Sequence, residues 1–161
     1  MRGGRDAMKL RELLALLVEH EVRFSVIGGV ALIARGVQRS TEDLDIAYAR
    51  DRQNLTRLAE ALAPIHPRLR GVPEGLPFVL DEASLRSGLN FTLDTDLGPL
   101  DLLGEVAGLG TFDHVDAASS ALEIGGTTML VLTLEGLEIA KRAAGRPKDL
   151  VDLGYIRAIK G

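Results

Sequence analysis

The sequence predicts an α+β (α/β-like) fold in which helices pack on a mixed β-sheet and further helices follow at the C-terminal end. Three features predict it: an early strand–helix–strand–helix unit, later pairs of short apolar segments separated by turn residues, and two closing amphipathic segments. The 161 residues suit one domain. We therefore expect a single domain over 1–161, with its core at about 22–132 and a helical segment at about 133–161.

The composition excludes several kinds of site. Apolar residues make up 46% and charged residues 26% of the chain, which contains no cysteine. Disulfides, thiolate metal sites and a cysteine nucleophile are therefore excluded. The net charge of -4 gives no overall positive field that would attract nucleic acid. No segment reaches the roughly 18 to 20 apolar residues of a membrane span, so we expect a cytoplasmic protein without a membrane partner.

The N-terminal part predicts a helix followed by a strand–helix–strand unit. Over 8–21 the apolar residues recur every three or four positions, which predicts one buried helix face. The residues of this face are Leu10, Leu13, Leu14, Leu17 and Val18. The segment 24–27 predicts a strand, Gly28-Gly29 a turn, and 30–35 a helix that Gly36 ends. A second strand follows over 43–49.

The middle of the chain predicts a capped helix, an irregular loop and a hairpin. Asp51 can cap a helix that runs to about residue 63, because a carboxylate accepts hydrogen bonds from the first backbone N–H groups. The segment 64–77 contains four prolines and two glycines, which predict an irregular surface loop. Strands over 89–93 and 100–106 then predict a hairpin through the turn 94–99.

The last third predicts a short helix, a hairpin and two helices. A short helix or turn is expected over 112–118, followed by strands over 121–124 and 127–132 with Gly125-Gly126 as a two-residue loop. Thr133 caps and Gly145 ends a helix over 134–144. Pro147 suits the first position of the final helix.

A glycine pair and an acidic pair carry the expected chemistry. Glycines between a strand and a helix let backbone N–H groups approach an anion, so Gly28 and Gly29 can seat a triphosphate. After thirteen intervening residues come Asp43 and Asp45, whose side chains share one face of a strand. Two such carboxylates can hold Mg²⁺, and a third is normally required for a second metal ion. The pattern predicts metal-assisted phosphoryl transfer.

These motifs resemble the DNA polymerase β-like nucleotidyltransferases, specifically a small bacterial branch related to the toxins of abortive-infection systems. The resemblance rests on Gly28-Gly29, Gly36, the segment Arg39-Ser40-Thr41-Glu42 and Asp43-Leu44-Asp45, in this order. It covers 24–46 well, and the third strand and the C-terminal helices more loosely. It implies the nucleotidyltransferase fold, an NTP substrate, Mg²⁺ or Mn²⁺ as cofactor, and toxin activity on tRNA or a toxin–antitoxin partner.

Each motif alone also fits a plainer interpretation. A glycine pair after a strand is often only a tight turn, and two alternating acids are often a solvated strand face. The order and spacing of all the motifs favour the nucleotidyltransferase interpretation. Arg39 either contacts phosphate, fixes the acidic pair or is a surface residue, whereas Thr41 is expected to hydrogen-bond the turn into the strand.

Asp101 is the expected third carboxylate. It lies in an apolar strand, where a charge is costly to bury unless it is paired or bound to metal, and the resemblance places an acid on such a strand. Glu105 competes because it shares the strand face of Asp101. The acids of Asp94-Thr95-Asp96 also compete, but we interpret that segment as a turn.

A basic segment over 141–150 supplies the last candidates. The resemblance implies that Lys141 faces the triphosphate and that Asp149 orients it. The alternative is a solvated helix end whose cations favour the helix dipole. The three histidines lack metal-ligand spacing and are interpreted as ordinary surface or core residues: His20, His66 and His114.

The sequence leaves three functions to compare. The first is a nucleotidyltransferase whose acceptor is an RNA end, a protein hydroxyl or a small molecule. The second is a non-catalytic module of the same fold that binds nucleotide or a protein partner, against which the three intact acids argue. The third, a metal-dependent nuclease, leaves the glycine pair without a role. Three aromatic residues near the expected site, Phe24, Tyr48 and Phe91, do not suggest a base-stacking platform.

Overall fold

The computed structural model describes residues 2–73, 75 and 77–161. Its helices are α1 Arg2–Glu19, α2 Gly28–Ala34, α3 Arg52–Leu62, α4 Glu82–Ser87, α5 Phe112–Ala117, α6 Leu134–Ala144 and α7 Pro147–Lys160. Its strands are β1 Phe24–Ile27, β2 Leu44–Tyr48, β3 Arg68–Leu69, β4 Asn90–Thr95, β5 Gly98–Leu103, β6 Glu105–Val106, β7 Gly110–Thr111, β8 Ser119–Ile124 and β9 Thr127–Leu132.

A mixed sheet forms the centre of the molecule. Its strand order is β3-β4-β5-β2-β1-β9-β8, and β6 pairs with β7 in a separate ribbon. The pairs β2–β5 and β1–β9 are parallel, whereas β1 runs antiparallel to β2. The strands within each of the hairpins β4–β5 and β8–β9, which flank this central pair on either side, are antiparallel. This order confirms the predicted mixed sheet and sets β2 beside β5.

Helices cover the sheet through their apolar faces. Helix α1 contacts α3 and the strands β5 and β9, while α2 contacts β1, β2, β9 and α6, which packs on α7. Leu13, Leu14 and Leu17 of α1 are buried in the same core as Val26 and Ile46. Truncating one such leucine to alanine typically costs about 2 to 5 kcal/mol, so α1 is an integral part of the core.

Several predicted elements are confirmed. The strands at 24–27 and 127–132 and the helix at 134–144 have the predicted bounds, and α7 begins at Pro147. Asp51 accepts a hydrogen bond from the Asn54 backbone N–H, and Thr133 caps α6 in the same way. Gly125 and Gly126 have φ of 60° and 88°, which a two-residue hairpin of the type I′ class requires.

The N-terminal predictions need two corrections. Helix α1 begins at Arg2 and ends at Glu19 instead of spanning 8–21, because Glu21 has the left-handed φ of 57°. Gly28 and Gly29 are the first two residues of α2 and not a turn before it. The helix therefore begins directly where β1 ends.

The prediction for 64–77 was wrong in part. A 3-10 turn at Ala63–Ile65 leads into β3, which pairs antiparallel with β4. Helix α4 was not predicted; its N-terminal residue Asp81 accepts a hydrogen bond from the Ser84 N–H. The sequence did not reveal these two short elements, since neither has enough apolar residues to make a periodic pattern.

The predicted strand at 100–106 is broken. Strand β5 ends at Leu103, and the next two residues of strand, Glu105 and Val106, belong to the separate β6–β7 ribbon. At Gly104 an added side chain would meet the Leu89 carbonyl oxygen at 2.8 Å, so the chain passes too close for any other residue.

In the described part of the chain no helix is both long and apolar enough to span a membrane.

Candidate functional site

The three predicted carboxylates converge at the junction of β2 and β5. These strands are parallel, with Asp45 directly opposite Asp101, so the two side chains point to the same face of the sheet. Asp43 immediately precedes β2, two residues before Asp45. The pairing of β2 with β5 thus places Asp101 on the same side as the acidic pair.

Arg70 bridges two of these acids. Its Nη2 lies 3.1 Å from Asp101 Oδ1, and its Nη1 lies 4.0 Å from Asp43 Oδ2. The same guanidinium contacts Asp94, with Nε 3.1 Å from Oδ1. Arg70 was predicted to lie in an irregular loop, yet it is the cation nearest to Asp101 among the described residues.

The environment of Asp45 disfavours its charged form. Burial, followed by the charges of Asp101 and Asp43, raises the pKa of Asp45 from 3.8 to about 7, while Lys141 opposes the rise. One carboxylate oxygen of Asp45 and one of Asp101 are buried without a hydrogen-bond partner. Uncompensated buried acceptors are costly, and a cation would relieve them.

The glycine pair brings α2 against these acids. Gly28 has φ of +67°, and a side chain there would collide with Asp45 Oδ2. A side chain at Gly29 would come within 2.8 Å of Thr41 Oγ1. The Thr41 hydroxyl donates to the Asp43 carbonyl oxygen at 3.3 Å, as predicted for the turn into the strand. Glycine at both positions therefore allows the first turn of α2 to contact β2 and its preceding loop.

A buried charge network lies beside the carboxylates. Lys141 Nζ is 3.3 Å from Asp149 Oδ1 and 3.0 Å from Asp152 Oδ2, and its side chain is only 13% exposed. Arg146 contacts the other oxygen of Asp149 through Nε at 2.7 Å. Burial alone would raise the pKa of Asp149, but hydrogen bonds from Arg146 and Lys141 hold it below its ordinary value.

This network separates two interpretations of the basic segment. Lys141 is not a solvated helix end, because two buried acids hold it and its charge acts on Asp45. Arg142 fits the solvated interpretation, since its exposed side chain pairs with Glu138 one helical turn away. Lys141 is therefore a buried cation of this network, and its charge opposes the rise in the pKa of Asp45.

Arg39 joins the network instead of the acidic pair. Its Nη1 lies 2.6 Å from Asp152 Oδ1, and the side chain of Arg39 is 28% exposed whereas that of Asp152 is buried. The loop between α2 and β2 is thereby tied to α7. Asp152 is a junction, since it contacts both Arg39 and Lys141.

The remaining candidates lie elsewhere. Glu105 is exposed on β6 and no longer shares a strand with Asp101. The prediction of a turn at Asp94-Thr95-Asp96 was wrong for its first two residues, which belong to β4. Asp96 lies in the turn and pairs with His66 and Arg68.

The other two histidines give no sign of a metal site. His20 Nδ1 hydrogen-bonds the Leu16 carbonyl oxygen, and His114 is exposed on α5.

The donor set at β2 and β5 fits a divalent cation of the Mg²⁺ type. Carboxylate oxygens are its preferred ligands, and the unpartnered oxygens of Asp45 and Asp101 lie on adjacent strands. Within the described residues no three acidic or histidine side chains are arranged as a ready metal site. Asp43 and Asp101 are instead held by Arg70.

Sequence reasoning missed Arg70, Asp152 and Arg146 as members of this site. Arg68-Leu69-Arg70 alternates charged and apolar residues, which is a weak strand signal within a proline-rich segment. Asp152 follows Asp149 by three residues and so shares its helix face, which was the available signal for that residue.

No protein-family model matches the chain, and comparison with curated proteins gives no significant sequence match. Solved structures do resemble it. The solution structure of the antibiotic-resistance factor ANT(2″)-Ia matches 96% of this chain and 84% of its own, with a TM-score of 0.62 and 15% identity. The crystal structure of ANT(2″)-Ia with adenylyl-2″-tobramycin covers 96% of this chain and 89% of its own, with a TM-score of 0.61 and 16% identity.

A second antibiotic-modifying enzyme resembles the chain to a similar degree. The lincomycin-bound lincosamide antibiotic adenylyltransferase LnuA matches 94% of this chain and 96% of its own, with a TM-score of 0.57 and 15% identity. Together these likenesses establish the nucleotidyltransferase fold. At such low identities the likeness extends to the fold alone.

Proposed function

We propose that this protein is a Mg²⁺-dependent nucleotidyltransferase that transfers a nucleoside monophosphate from an NTP to an acceptor hydroxyl. One observation carries the proposal: Asp45 and Asp101 face each other on parallel strands beside the glycine pair that begins α2, and each has a buried oxygen that accepts no hydrogen bond, although Arg70 forms an ion pair with that of Asp101. A structural acid pair would have its oxygens satisfied by donors. The fold of the antibiotic nucleotidyltransferases supports the same assignment.

The proposed roles follow from the geometry. Asp43, Asp45 and Asp101 hold the metal, which when bound neutralises phosphate charge and activates the attacking hydroxyl. Gly28 and Gly29 are the first two residues of α2, so their backbone N–H groups would be the donors available to a polyphosphate. The site's carboxylates also provide the base that accepts the proton of the acceptor hydroxyl.

The C-terminal network would stabilise the leaving pyrophosphate. Lys141 is the buried cation whose charge acts on Asp45, while Asp149 and Asp152 each fix its side chain through one carboxylate oxygen. Arg39 contributes by holding Asp152, whereas Thr41 fixes the backbone of Asp43. A positioned cation is effective here because it costs no reorganisation as charge develops.

A small molecule with a hydroxyl group is the acceptor class that we favour over RNA. Phe24 and Tyr48 are buried in the core, so among the three aromatic residues considered only Phe91 is partly accessible for stacking on a base. Of the similar structures, that of LnuA contains lincomycin and one of ANT(2″)-Ia contains adenylyl-2″-tobramycin. The toxin–antitoxin role and the cytoplasmic location stay predictions from the sequence.

Calorimetric titration of Mg-ATP and Mg-GTP into wild type, Asp43→Asn and Asp45→Asn tests the proposal. Each substitution removes a metal ligand, so we expect NTP affinity to fall at least about tenfold, as when one charge-assisted contact is lost. Asp96→Asn is the matched control, because this exposed acid pairs with His66 away from the centre. Equal affinities in wild type and the two site variants would refute the proposal.

A non-catalytic binding module is the competing function. It would bind Mg-NTP through the same residues without releasing pyrophosphate. Labelled NTPs incubated with a panel of hydroxyl compounds and with total RNA distinguish the two functions, because only an enzyme yields a labelled product. Tight Mg-NTP binding with no product from any acceptor would favour the module.

A further inference from the structure

The geometry points to Arg70 as a resident cation of the carboxylate centre, one that a divalent metal must displace from Asp101 and Asp43 in order to bind. The inference rests on the proposed function, because it takes these carboxylates as metal ligands. In the metal-free protein Arg70 would partly neutralise the carboxylates, and it would thereby set their affinity for a divalent metal ion.

The backbone and one edge of Arg70 are fixed to β4. Its N–H donates to the Thr92 carbonyl oxygen at 2.9 Å, which extends the β3–β4 pairing by one residue. Its Nε donates to Asp94 Oδ1 at 3.1 Å, and its Nη2 donates to the Leu93 carbonyl oxygen at 2.7 Å. These bonds hold the guanidinium beside the centre, so its position does not depend on the metal ligands.

The other edge of the guanidinium faces the proposed metal ligands. Nη2 is 3.1 Å from Asp101 Oδ1, and Nη1 is 4.0 Å from Asp43 Oδ2. Asp101 Oδ1 nevertheless lacks an aligned hydrogen bond, so this contact is an ion pair without the added strength of a directed bond. Arg70 therefore binds Asp94 and Leu93 more specifically than it binds Asp101.

This arrangement makes Arg70 a competitor of the metal. Its positive charge offsets the repulsion among neighbouring carboxylates and keeps them convergent without a metal ion. A divalent cation on Asp101 would meet that charge at close range, which lowers its affinity. An incoming triphosphate would give the guanidinium an alternative anionic partner, so the competition is strongest for metal alone.

Titration of Mn²⁺ alone, without nucleotide, tests this inference. Free Mn²⁺ measured by electron paramagnetic resonance gives the dissociation constant for wild type, Arg70→Gln and Arg68→Gln. Arg68 is the matched control, since it lies on the same short strand and its removal changes the net charge equally, but it pairs with Asp96. We expect Arg70→Gln to bind Mn²⁺ about five- to tenfold more tightly than both other proteins.

Unchanged, weaker or absent Mn²⁺ binding in a folded Arg70→Gln variant would overturn the inference. The nucleotidyltransferase proposal would remain, because it depends on metal-dependent NTP binding by the wild type. If Arg70→Gln does not fold, the wild type supplies the test: a guanidinium Nη–H resonance of Arg70, assigned by its absence in Arg70→Lys, should shift as Mg²⁺ is added, because the Nη atoms face Asp101 and Asp43. A resonance that stays fixed through saturation would overturn the inference equally.

Discussion

Replacing Asp45 by asparagine should stabilise the metal-free protein above neutral pH. The pKa of this carboxyl is raised from 3.8 to about 7, first by burial and then by Asp101. The folded state therefore binds the proton more tightly than the unfolded chain does. The stability that this proton contributes is fully present below about pH 4 and is lost as the pH rises through about 7.

The size of the effect follows from the shift. A rise of about 3 pKa units corresponds to about 4 kcal/mol of unfolding free energy lost between pH 4 and 8, taken as an upper limit. Asparagine has the same shape, carries no charge and can donate a hydrogen bond to Asp101. Asp45→Asn should therefore lack this loss and exceed the wild type in stability at pH 8.

Urea denaturation followed by circular dichroism, at several pH values from 5 to 8 and with a chelator present, measures the difference. Asp96→Asn is the control, because a hydrogen bond from His66 lowers the pKa of that exposed carboxyl and its removal cannot reproduce the gain. Parallel stability curves for wild type and Asp45→Asn would refute the reasoning. Saturating Mg²⁺ should restore the stability of the wild type at pH 8 but not raise that of Asp45→Asn comparably.

Two further substitutions test the glycine pair and the charge network. Gly28→Ala combines a left-handed φ with a collision against Asp45, so we expect a loss of about 1 to 3 kcal/mol in urea denaturation and weaker NTP binding by calorimetry. Gly126→Ala is the matched variant, because Gly126 also has a left-handed φ but an added side chain would meet no atom within 4 Å. It should lose stability but keep the NTP affinity of the wild type, and equal NTP binding by the two variants would contradict this explanation. Asp152→Asn leaves Lys141 with one acid and should cost about 3 kcal/mol in the same denaturation assay. A loss typical of an exposed ion pair, about 0.5 kcal/mol, would contradict the buried network.

Local sequence determined the elements whose signals are short-range. The strand at 24–27, the Gly125-Gly126 hairpin loop and helix α6 between Thr133 and Gly145 were predicted with their bounds, because turn and cap residues act on their immediate neighbours, whereas the first strand of that hairpin begins at Ser119, two residues earlier than predicted. Period-2 alternation likewise predicted the shared orientation of Asp43 and Asp45. These features depend on backbone geometry within a few residues.

Tertiary structure decided how distant segments complete the site. Only the pairing of β2 with β5 places Asp101 opposite Asp45, and only the pairing of β3 with β4 carries Arg70 to the same centre. The place of Arg70 is not encoded by a local pattern, since β3 is two residues long and lies among prolines. The buried position of Lys141 likewise requires α7, whose Asp149 and Asp152 hold it. The sequence thus specifies which residues can perform the chemistry. Strand order and helix packing specify which charged side chains lie close together, and electrostatic interactions depend on that distance in the folded protein and not on separation along the chain.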